Sequence, residues 1–169
     1  MCGITGIINL NGEFINPNIL KFMTDSISHR GPDGEGFWSE ENIGFGHRRL
    51  AIIDLSNLGR QPMKTDNNEY VLIYNGEIYN YKEIKARLLL KGYNFRGNSD
   101  TEVFLNALIE WGTDAILKFN GMFSFAFFDK REKNLILGRD RYGIKPLYYA
   151  RQGDLFLFGS EQKAITAHP

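Results

Sequence analysis

The chain has 169 residues, of which 43% are hydrophobic and 24% are charged, values typical of one globular domain rather than a disordered or fibrous protein. Twenty Lys and Arg balance twenty Asp and Glu, so the formal charge is zero and no overall field would attract nucleic acid or an acidic lipid surface. The longest conspicuous apolar run, Met122–Phe128, falls far short of the ~18 residues that span a membrane.

The first half of the chain predicts one helix among several strands. Asn16 followed by Pro17 is typical of a helix start, and apolar residues at four-residue spacing continue to Ile27, ahead of the glycine-rich stretch HRGPDGEGF. Apolar and β-branched runs between turn residues predict strands. These strands cover Ile4–Leu10, Phe37–Ser39, Ile43–Arg49, Leu50–Leu55 and Tyr70–Tyr74, with a polar loop over Ser56–Glu69.

The second half predicts two helices followed by more strands. Asn80 with Glu83, and Ser99 with Glu102, have the spacing of capping boxes, in which an N-cap side chain and a later Glu satisfy each other's backbone N–H groups. Gly92 would end the first helix. Strands are predicted over Met122–Asp129, Asn134–Arg139, Leu147–Arg151 and Leu155–Gly159, and a short helix over Glu161–Ala167.

Strands at both ends of the sequence, with a helix pair between them, predict an α+β domain. Short links between strands favour antiparallel pairing, and the amphipathic helices need a sheet to cover. We therefore expect two sheets that face each other within one domain.

Metal and nucleotide chemistry find little support in the sequence. The histidines are His29, His47 and His168; no CxxC, HExxH, GxGxxG or GxxxxGK[ST] pattern occurs. We expect neither a metal site nor a cofactor in this domain. A catalytic dyad of Cys2 with His29 or His47 is conceivable, although the spacing does not single it out.

The position of Cys2, directly after Met1 and before Gly3, suggests another kind of nucleophile. If Met1 is removed, Cys2 carries a thiol and a free α-amine, whose ordinary pKa of ~7.7–8.0 suits a general base near neutral pH. The bland alternative is a cysteine that packs as a small apolar residue. A lone cysteine also excludes an internal disulfide and, without a visible secretory signal, favours a cytoplasmic location.

Segments that extend over nearly the whole chain, residues 2–167, carry a family resemblance. They read MCGITG, SHRGPDGEGF, GHRRLAIIDLS, QPM, YNGEIYNY, SDTEV, FNGMFSFAFFD, RDRYGIKPLYY and GSEQKAI. In this order they resemble the glutaminase domain of glutamine-hydrolysing asparagine synthetases, which are class II glutamine amidotransferases of the N-terminal-nucleophile hydrolase superfamily. The resemblance implies a four-layer α/β/β/α sandwich with two facing antiparallel sheets, and hydrolysis of the side-chain amide of L-glutamine to glutamate and ammonia.

The resemblance also implies roles for individual residues. Cys2 would be the nucleophile, and the Asn75 side chain and the Gly76 N–H would stabilise the oxyanion. The residues implied to bind the substrate are Arg49 for its carboxylate, Glu77 and Asp100 for its ammonium, and the backbones of Leu50 and Ile52.

Most of these residues have simpler interpretations when they are read alone. Asn75-Gly76 is typical of a hairpin turn, and Asp100 would favour the start of a helix by its charge. Arg49 would be a solvated charge at a strand end. Leu50 and Ile52, as apolar strand residues, would more often belong to the core.

Two further motifs share the resemblance. His29–Gly34 matches a mobile loop, which suggests a lid, although ordinary turn chemistry explains it equally well. Arg139–Lys145 matches a late motif to which we assign a structural role.

The family's second domain, which binds ATP with Mg and aspartate, is not part of this sequence. Residues 168–169 would begin the linker to it, and the implied partners are L-glutamine, that synthetase domain and a second copy in a possible homodimer. Two alternatives are a related amidotransferase acting on a cell-surface sugar or secondary metabolite, and a non-catalytic regulatory domain of the same fold.

Overall fold

Nine strands and four helices make up the fold in this computed structural model, which describes Met1–Pro169 without a gap. The strands are β1 (Gly3–Asn9), β2 (Gly34–Glu40), β3 (Ile43–Arg49), β4 (Met63–Lys64), β5 (Tyr70–Ile78), β6 (Gly121–Asp129), β7 (Asn134–Arg139), β8 (Tyr148–Gln152) and β9 (Leu155–Gly159). The helices are α1 (Pro17–Asp25), α2 (Tyr81–Leu90), α3 (Asp100–Trp111) and α4 (Gln162–Thr166). Short 3-10 turns cover Ser28–Arg30, Asn57–Gly59 and Gly112–Lys118.

The strands form two antiparallel sheets, which confirms the predicted α+β class. The five-stranded sheet has the order β2-β3-β1-β9-β8, and the four-stranded sheet has the order β4-β5-β6-β7. β1 pairs with β3 on one side and β9 on the other, so the first strand of the chain lies at the centre of its sheet.

Side-chain alternation along the strands separates the core into three layers. In β5, Val71 and Ile73 point between the sheets, whereas Leu72 and Tyr74 point toward the helices on the outer face. The inner layer is a cluster of Ile4, Ile8, Ile43, Phe45, Val71, Ile73, Ala126 and Phe158. Separate clusters join α2 and α3 to one sheet and α1 to the other, and α4 also packs on β9, so the implied α/β/β/α sandwich is confirmed.

Helix α1 lies close against β3 because two glycines remove the side chains between them. A Cβ at Gly46 would come within 2.0 Å of Thr24 Oγ1, and one at Gly44 would come within 3.1 Å of Leu20. The Asn16 side chain accepts a hydrogen bond from the Asn18 N–H and so caps the helix as predicted.

The predicted strand over Leu50–Leu55 is wrong, because β3 ends at Arg49 and a loop follows. Side chains bind the backbone that a strand partner would otherwise bind: the Ala51 N–H donates to Asp33 Oδ2 at 2.9 Å. Asp54 Oδ1 accepts from the Ser56 N–H at 2.8 Å, which forms a local turn. The apolar residues of this segment line the wall of a cavity instead of belonging to a sheet.

The two predicted capping boxes are only partly present. Ser99 Oγ caps α3 by accepting from the Glu102 N–H at 3.4 Å, but the Glu102 carboxylate accepts from the backbone of Arg96 and Gly97 instead of Ser99. Asn80 makes no capping bond; its amide joins the start of α2 to Lys118 and Asn120. Both helices nevertheless begin where the sequence predicts. None of the helices combines the length and apolarity needed to cross a bilayer.

The packing of the Phe158 ring over the neighbouring strand β1 predicts a strong effect of one added methyl group. A Cβ at Gly6 in β1 would lie 2.1 Å from ring carbons of Phe158, so Gly6→Ala should lower the free energy of unfolding by about 1–3 kcal/mol. Urea denaturation of this variant would measure the effect. Gly34→Ala is the matched control, since no atom lies within 4 Å of its added Cβ; equal losses in the two variants would contradict the packing described here.

Candidate active site

Every residue assigned to a site from the sequence lines one cavity of about 410 Å³. It opens where β1 begins and β3 ends, next to the later part of β5. The residues concerned are Cys2, Arg49, Leu50, Ile52, Asn75, Gly76, Glu77 and Asp100. Residues that are far apart in the sequence are therefore brought to one end of the sandwich.

The Cys2 thiol lies against the backbone of the loop that follows β3. The Leu50 N–H donates to Sγ at 3.3 Å, and Sγ lies 3.5 Å from the Leu50 carbonyl oxygen. Arg30 Nε donates to the Cys2 carbonyl oxygen at 2.9 Å, which holds the start of β1 in place. Burial raises the pKa of the thiol, while the Leu50 hydrogen bond and the positive charges of the N-terminus and Arg49 oppose that rise.

The later part of β5 has a free edge facing the cavity. β4 is only two residues long and its pairing with β5 stops at Leu72. On the other side, Gly76 lies opposite Phe123, but the N–H and C=O of Phe123 bond to Asp140 and point away from β5. Because hydrogen bonding alternates along an antiparallel pair, the N–H of Gly76 must point away from β6 and toward the free edge.

Side chains occupy the two neighbouring positions on that edge and leave Gly76 unoccupied. The Tyr74 N–H donates to Gln61 Oε1 at 2.6 Å, and the Ile78 N–H donates to Asp100 Oδ2 at 3.0 Å. Between them, the Gly76 N–H faces neither a partner strand nor a side-chain acceptor. A Cβ at this position would come within 2.4 Å of the Met122 carbonyl oxygen, so the close approach of β6 requires glycine.

Asn75 supplies a second unpaired donor beside the first. Asn75 is only 1% exposed, and its side-chain Nδ2 is buried without a hydrogen-bond partner. Buried polar groups are nearly always paired, so an orphan donor in a cavity wall calls for a ligand or an ordered water. The interpretation of Asn75-Gly76 as a hairpin turn is wrong, because both residues lie inside β5.

Asp100 combines a place in the cavity wall with a structural contact. It is buried in the first turn of α3, and its Oδ2 accepts from the Tyr74 hydroxyl at 2.8 Å as well as from Ile78. Burial raises the pKa of this carboxyl, and the hydrogen bonds from Ile78 and Tyr74 oppose the rise. Asp100 therefore does more than interact favourably with the dipole of α3, which is the role that its sequence position alone suggests.

Arg49 uses part of its guanidinium to hold the loop around the cavity. Nη1 donates to the Ser56 carbonyl oxygen at 3.0 Å and Nη2 donates to the Asp54 carbonyl oxygen, which leaves Nε without a partner. The interpretation as a solvated strand-end charge is wrong.

The remaining predicted residues form the rim of the cavity. Ile52 is 61% exposed, so its interpretation as a core residue is wrong, and Leu50 is half-buried against the thiol. Glu77 is half-buried opposite Met122 in the β5–β6 pair.

No histidine forms a dyad with the thiol. His47 is fully buried and its Nε2 lies 3.3 Å from the Tyr74 carbonyl oxygen, while His29 contacts Glu161 at 2.9 Å. Burial lowers the pKa of His47 to about 3, with Arg49 contributing in the same direction against the Tyr74 hydrogen bond. Neither imidazole is therefore paired with the Cys2 thiol.

The two further motifs hold the surroundings of the site. In the first, the Asp33 N–H donates to the Arg49 carbonyl oxygen at 3.0 Å, and a Cβ at Gly31 would lie 2.3 Å from the Arg49 nitrogen, so this segment is held tightly against β3. In the second, the Asp140 carboxylate accepts backbone N–H groups from Phe123, Tyr142, Ile144 and Lys145, which shapes the turn that brings Lys145 into the cavity wall.

Sequence reasoning missed several residues of the cavity wall, among them Gln61, Tyr74 and Lys145. Gln61 stands in the QPM motif of the family resemblance, and that motif was its one signal in a stretch otherwise predicted as a polar loop.

Comparison with known proteins identifies the family. The family described as "Glutamine amidotransferase domain" matches residues 1–169. The chain belongs to this glutamine amidotransferase family. Among its relatives, asparagine synthetase [glutamine-hydrolyzing] 3 of Bacillus subtilis is 44% identical over 172 residues, covering 100% of this chain and 28% of the relative. Asparagine synthetase B [glutamine-hydrolyzing] of Escherichia coli is 35% identical over 169 residues, covering 98% of this chain and 30% of the relative.

A solved amidotransferase structure shows the same fold. The glutamine phosphoribosylpyrophosphate amidotransferase from B. subtilis superposes with a TM-score of 0.82 at 23% identity, over 98% of this chain and 43% of the other. The glutamine amidotransferase domain described here thus spans less than a third of the two synthetases and less than half of this enzyme.

The buried His47 predicts how stability depends on pH. Its pKa of about 3 in the folded domain lies below its ordinary 6.5, so the unfolded chain binds the proton more readily between these values. The contribution of the neutral, buried His47 to the free energy of unfolding is complete above pH 6.5. As pH falls toward 3, this contribution is lost at up to about 1.4 kcal/mol per pH unit.

Urea denaturation between pH 6.5 and 5 would measure this loss above the range where most carboxylates titrate. His47→Gln should flatten the slope in that window, whereas the control His168→Gln, outside the core, should leave it unchanged. If the stability of His47→Gln falls with pH as steeply as that of the wild type, His47 is not the source of this pH dependence.

Proposed function

We propose that this domain hydrolyses the side-chain amide of L-glutamine through a thioester on Cys2. The observation that carries the proposal is the pair of unpaired donors, Asn75 Nδ2 and the Gly76 N–H, in the same cavity wall as the thiol. Two unpaired donors on adjacent residues of one cavity wall suit an oxygen that gains negative charge during acyl transfer. The family and its glutamine-hydrolysing relatives support the same reaction.

The first half of the reaction forms a carbon–sulfur bond. After removal of Met1, the free α-amine of Cys2 takes the thiol proton, directly or through one water, and Sγ attacks the amide carbon. The carbonyl π electrons move to oxygen, where Asn75 and Gly76 donate hydrogen bonds. The protonated amine then gives its proton to the nitrogen of the leaving group, the carbon–nitrogen bond breaks, and ammonia departs.

The second half restores the thiol. A water molecule gives a proton to the α-amine as its oxygen attacks the thioester carbon, and the same donors stabilise the new oxyanion. The carbon–sulfur bond then breaks, the thiolate regains the proton from the amine, and glutamate is released. The cysteine and its own amine thus supply both nucleophile and base, which agrees with the absence of a histidine partner for Sγ.

The charges around the cavity suit a zwitterionic substrate. The unpaired Nε of Arg49 is available to the substrate carboxylate, and Asp100 together with Glu77 offers negative charge to the ammonium. Both hydrogen bonds of Asp100 described above go to Oδ2, which leaves Oδ1 to accept from a ligand. The backbones of Leu50 and Ile52 would confine the rest of the molecule.

The acceptor of the ammonia lies outside this domain. Because the named relatives are asparagine synthetases several times longer than this chain, we propose that a C-terminal synthetase domain, using ATP and Mg, consumes the ammonia. Their names do not favour another acceptor or a purely regulatory role. We further propose that the glutaminase domain itself needs no cofactor and that the protein works in the cytoplasm, where one thiol stays reduced. A homodimer is proposed on the family resemblance alone.

Cys2→Ala should abolish glutamine hydrolysis and leave the fold intact, since it removes one thiol whose hydrogen bonds are limited to Leu50. Blocking the α-amine, by retaining Met1 or adding a residue before Cys2, should be nearly as damaging because an amide nitrogen is not a base. Ammonia release and intact mass, compared with the Met1-free wild type, would measure both effects. Normal turnover by a protein shown to retain Met1 would refute the amine as the base.

Asn75→Ala should lower kcat by about 10²–10³-fold with little change in KM, because an oxyanion donor acts mainly in the transition state. Steady-state assays with glutamine would show the split. Asn134→Ala, an exposed asparagine at the start of β7, is the control and should retain wild-type constants. A rise in KM with unchanged kcat would instead place Asn75 in ground-state binding.

A further inference from the structure

Gln61 occupies the place of a missing strand residue beside the proposed oxyanion donors. The register of β4 and β5, in which Met63 pairs with Leu72, places position 61 opposite Tyr74. Backbone pairing with β5 does not reach this position, because β4 begins only at Met63. Instead the Gln61 side chain accepts from the Tyr74 N–H at 2.6 Å and donates through Nε2 to the Tyr74 carbonyl oxygen at 3.0 Å. A side-chain amide thus does the pairing of one peptide group.

Because the Gln61 side chain takes the place of a strand residue, pairing along this edge of β5 stops after Tyr74. In the same register the next partner of β5 would be position 59, opposite Gly76, and its backbone would take the Gly76 N–H. The chain at Asn57–Gly59 instead turns into a 3-10 helix, where the Gly59 N–H donates to Ser56. The Gly76 N–H is therefore left free directly beside a residue whose backbone is fully paired.

Gln61 is itself held on two sides. It is only 7% exposed, and a Cβ at Gly36 in β2 would lie 1.9 Å from the Gln61 carbonyl oxygen, so the facing sheet packs closely on its backbone. Its side chain joins that packing to Tyr74, the residue before Asn75. The position and orientation of the donor segment thus depend on a contact between β2 and the segment that precedes β4.

We propose that Gln61 is a positioning residue: its amide aligns the Tyr74–Gly76 segment so that Asn75 Nδ2 and the Gly76 N–H point to the oxyanion. The proposal rests on the proposed glutamine hydrolysis and acts through Asn75 and Gly76 rather than on the substrate. His47 Nε2 lies 3.3 Å from the Tyr74 carbonyl oxygen and is a weaker second contact to this residue. The Tyr74 N–H is bonded by Gln61 alone.

The test uses Gln61→Met, which keeps the size of the side chain and removes both hydrogen bonds, and Gln61→Glu, which keeps an acceptor for the Tyr74 N–H and removes the donor. Gln152→Met, at an exposed position in β8, is the matched control. Glutamine kcat and KM are measured on Met1-free protein. Because misplacement of catalytic groups by about 1 Å can cost about 10²-fold, we expect Gln61→Met to lose roughly 10–100-fold in kcat with KM within about threefold. Gln61→Glu should lose at least as much, because its second carboxylate oxygen would face the Tyr74 carbonyl oxygen in a buried site.

Alkylation of Cys2 by iodoacetamide separates positioning from damage to the fold or thiol. This displacement at a saturated carbon forms no oxyanion, so its rate should be unchanged in Gln61→Met if only the donors are misaligned. A parallel fall in alkylation rate, or a Gln61→Met kcat equal to that of wild type, would overturn the proposal. Absence of glutamine hydrolysis by the Met1-free wild type would instead refute the proposed function.

A double variant tests the route of action. If Gln61 acts through the Asn75–Gly76 donors, Gln61→Met should cost several-fold less in kcat when Asn75 is already Ala than in the wild-type background. Losses that multiply independently would show that Gln61 does not act through Asn75 and would overturn the assignment.

Discussion

Two hydrogen-bond donors without partners, side by side on one strand, are the feature on which the rest of this structure depends. A buried donor without a partner typically costs about 1–3 kcal/mol, so folding alone would favour pairing Asn75 Nδ2 and the Gly76 N–H. The chain instead begins β4 only at Met63 and pairs the neighbouring positions of the β5 edge with side chains. The two unpaired donors therefore lower the local stability of the fold at this one site.

The rest of the fold can offset the cost of the unpaired donors because the remaining layers are closely packed. Three apolar clusters, one between the sheets and one under the helices on each side, fix β1, β3 and β5 relative to one another. The site lies where the inner cluster ends, and the polar residues there replace apolar ones on the same faces of the strands. Asn75 follows Val71 and Ile73 along one face of β5, and His47 follows Ile43 and Phe45 in β3.

The electrostatic arrangement of the site is local rather than global. The chain has no net charge, yet Arg49, Glu77 and Asp100 line one small cavity with both signs represented. Such an arrangement suits a small zwitterion better than a polyanion. The thiol sits in the same cavity with a pKa raised by burial, so a proton acceptor close to it is needed, and after removal of Met1 the α-amine of the same residue would be the nearest such group.

The sequence by itself determined the α+β class, most element positions and, through its family resemblance, the set of residues that meet in the cavity, because alternation, capping and motif order are local properties of the chain. It did not determine the loop after Arg49, where contacts with Asp33 and Cys2 override an apolar pattern that predicts a strand. Nor did it show the role of Gln61 or the free edge at Gly76. Those depend on which backbone groups lack a partner, and pairing across sheets is decided only when distant segments pack together in the tertiary structure.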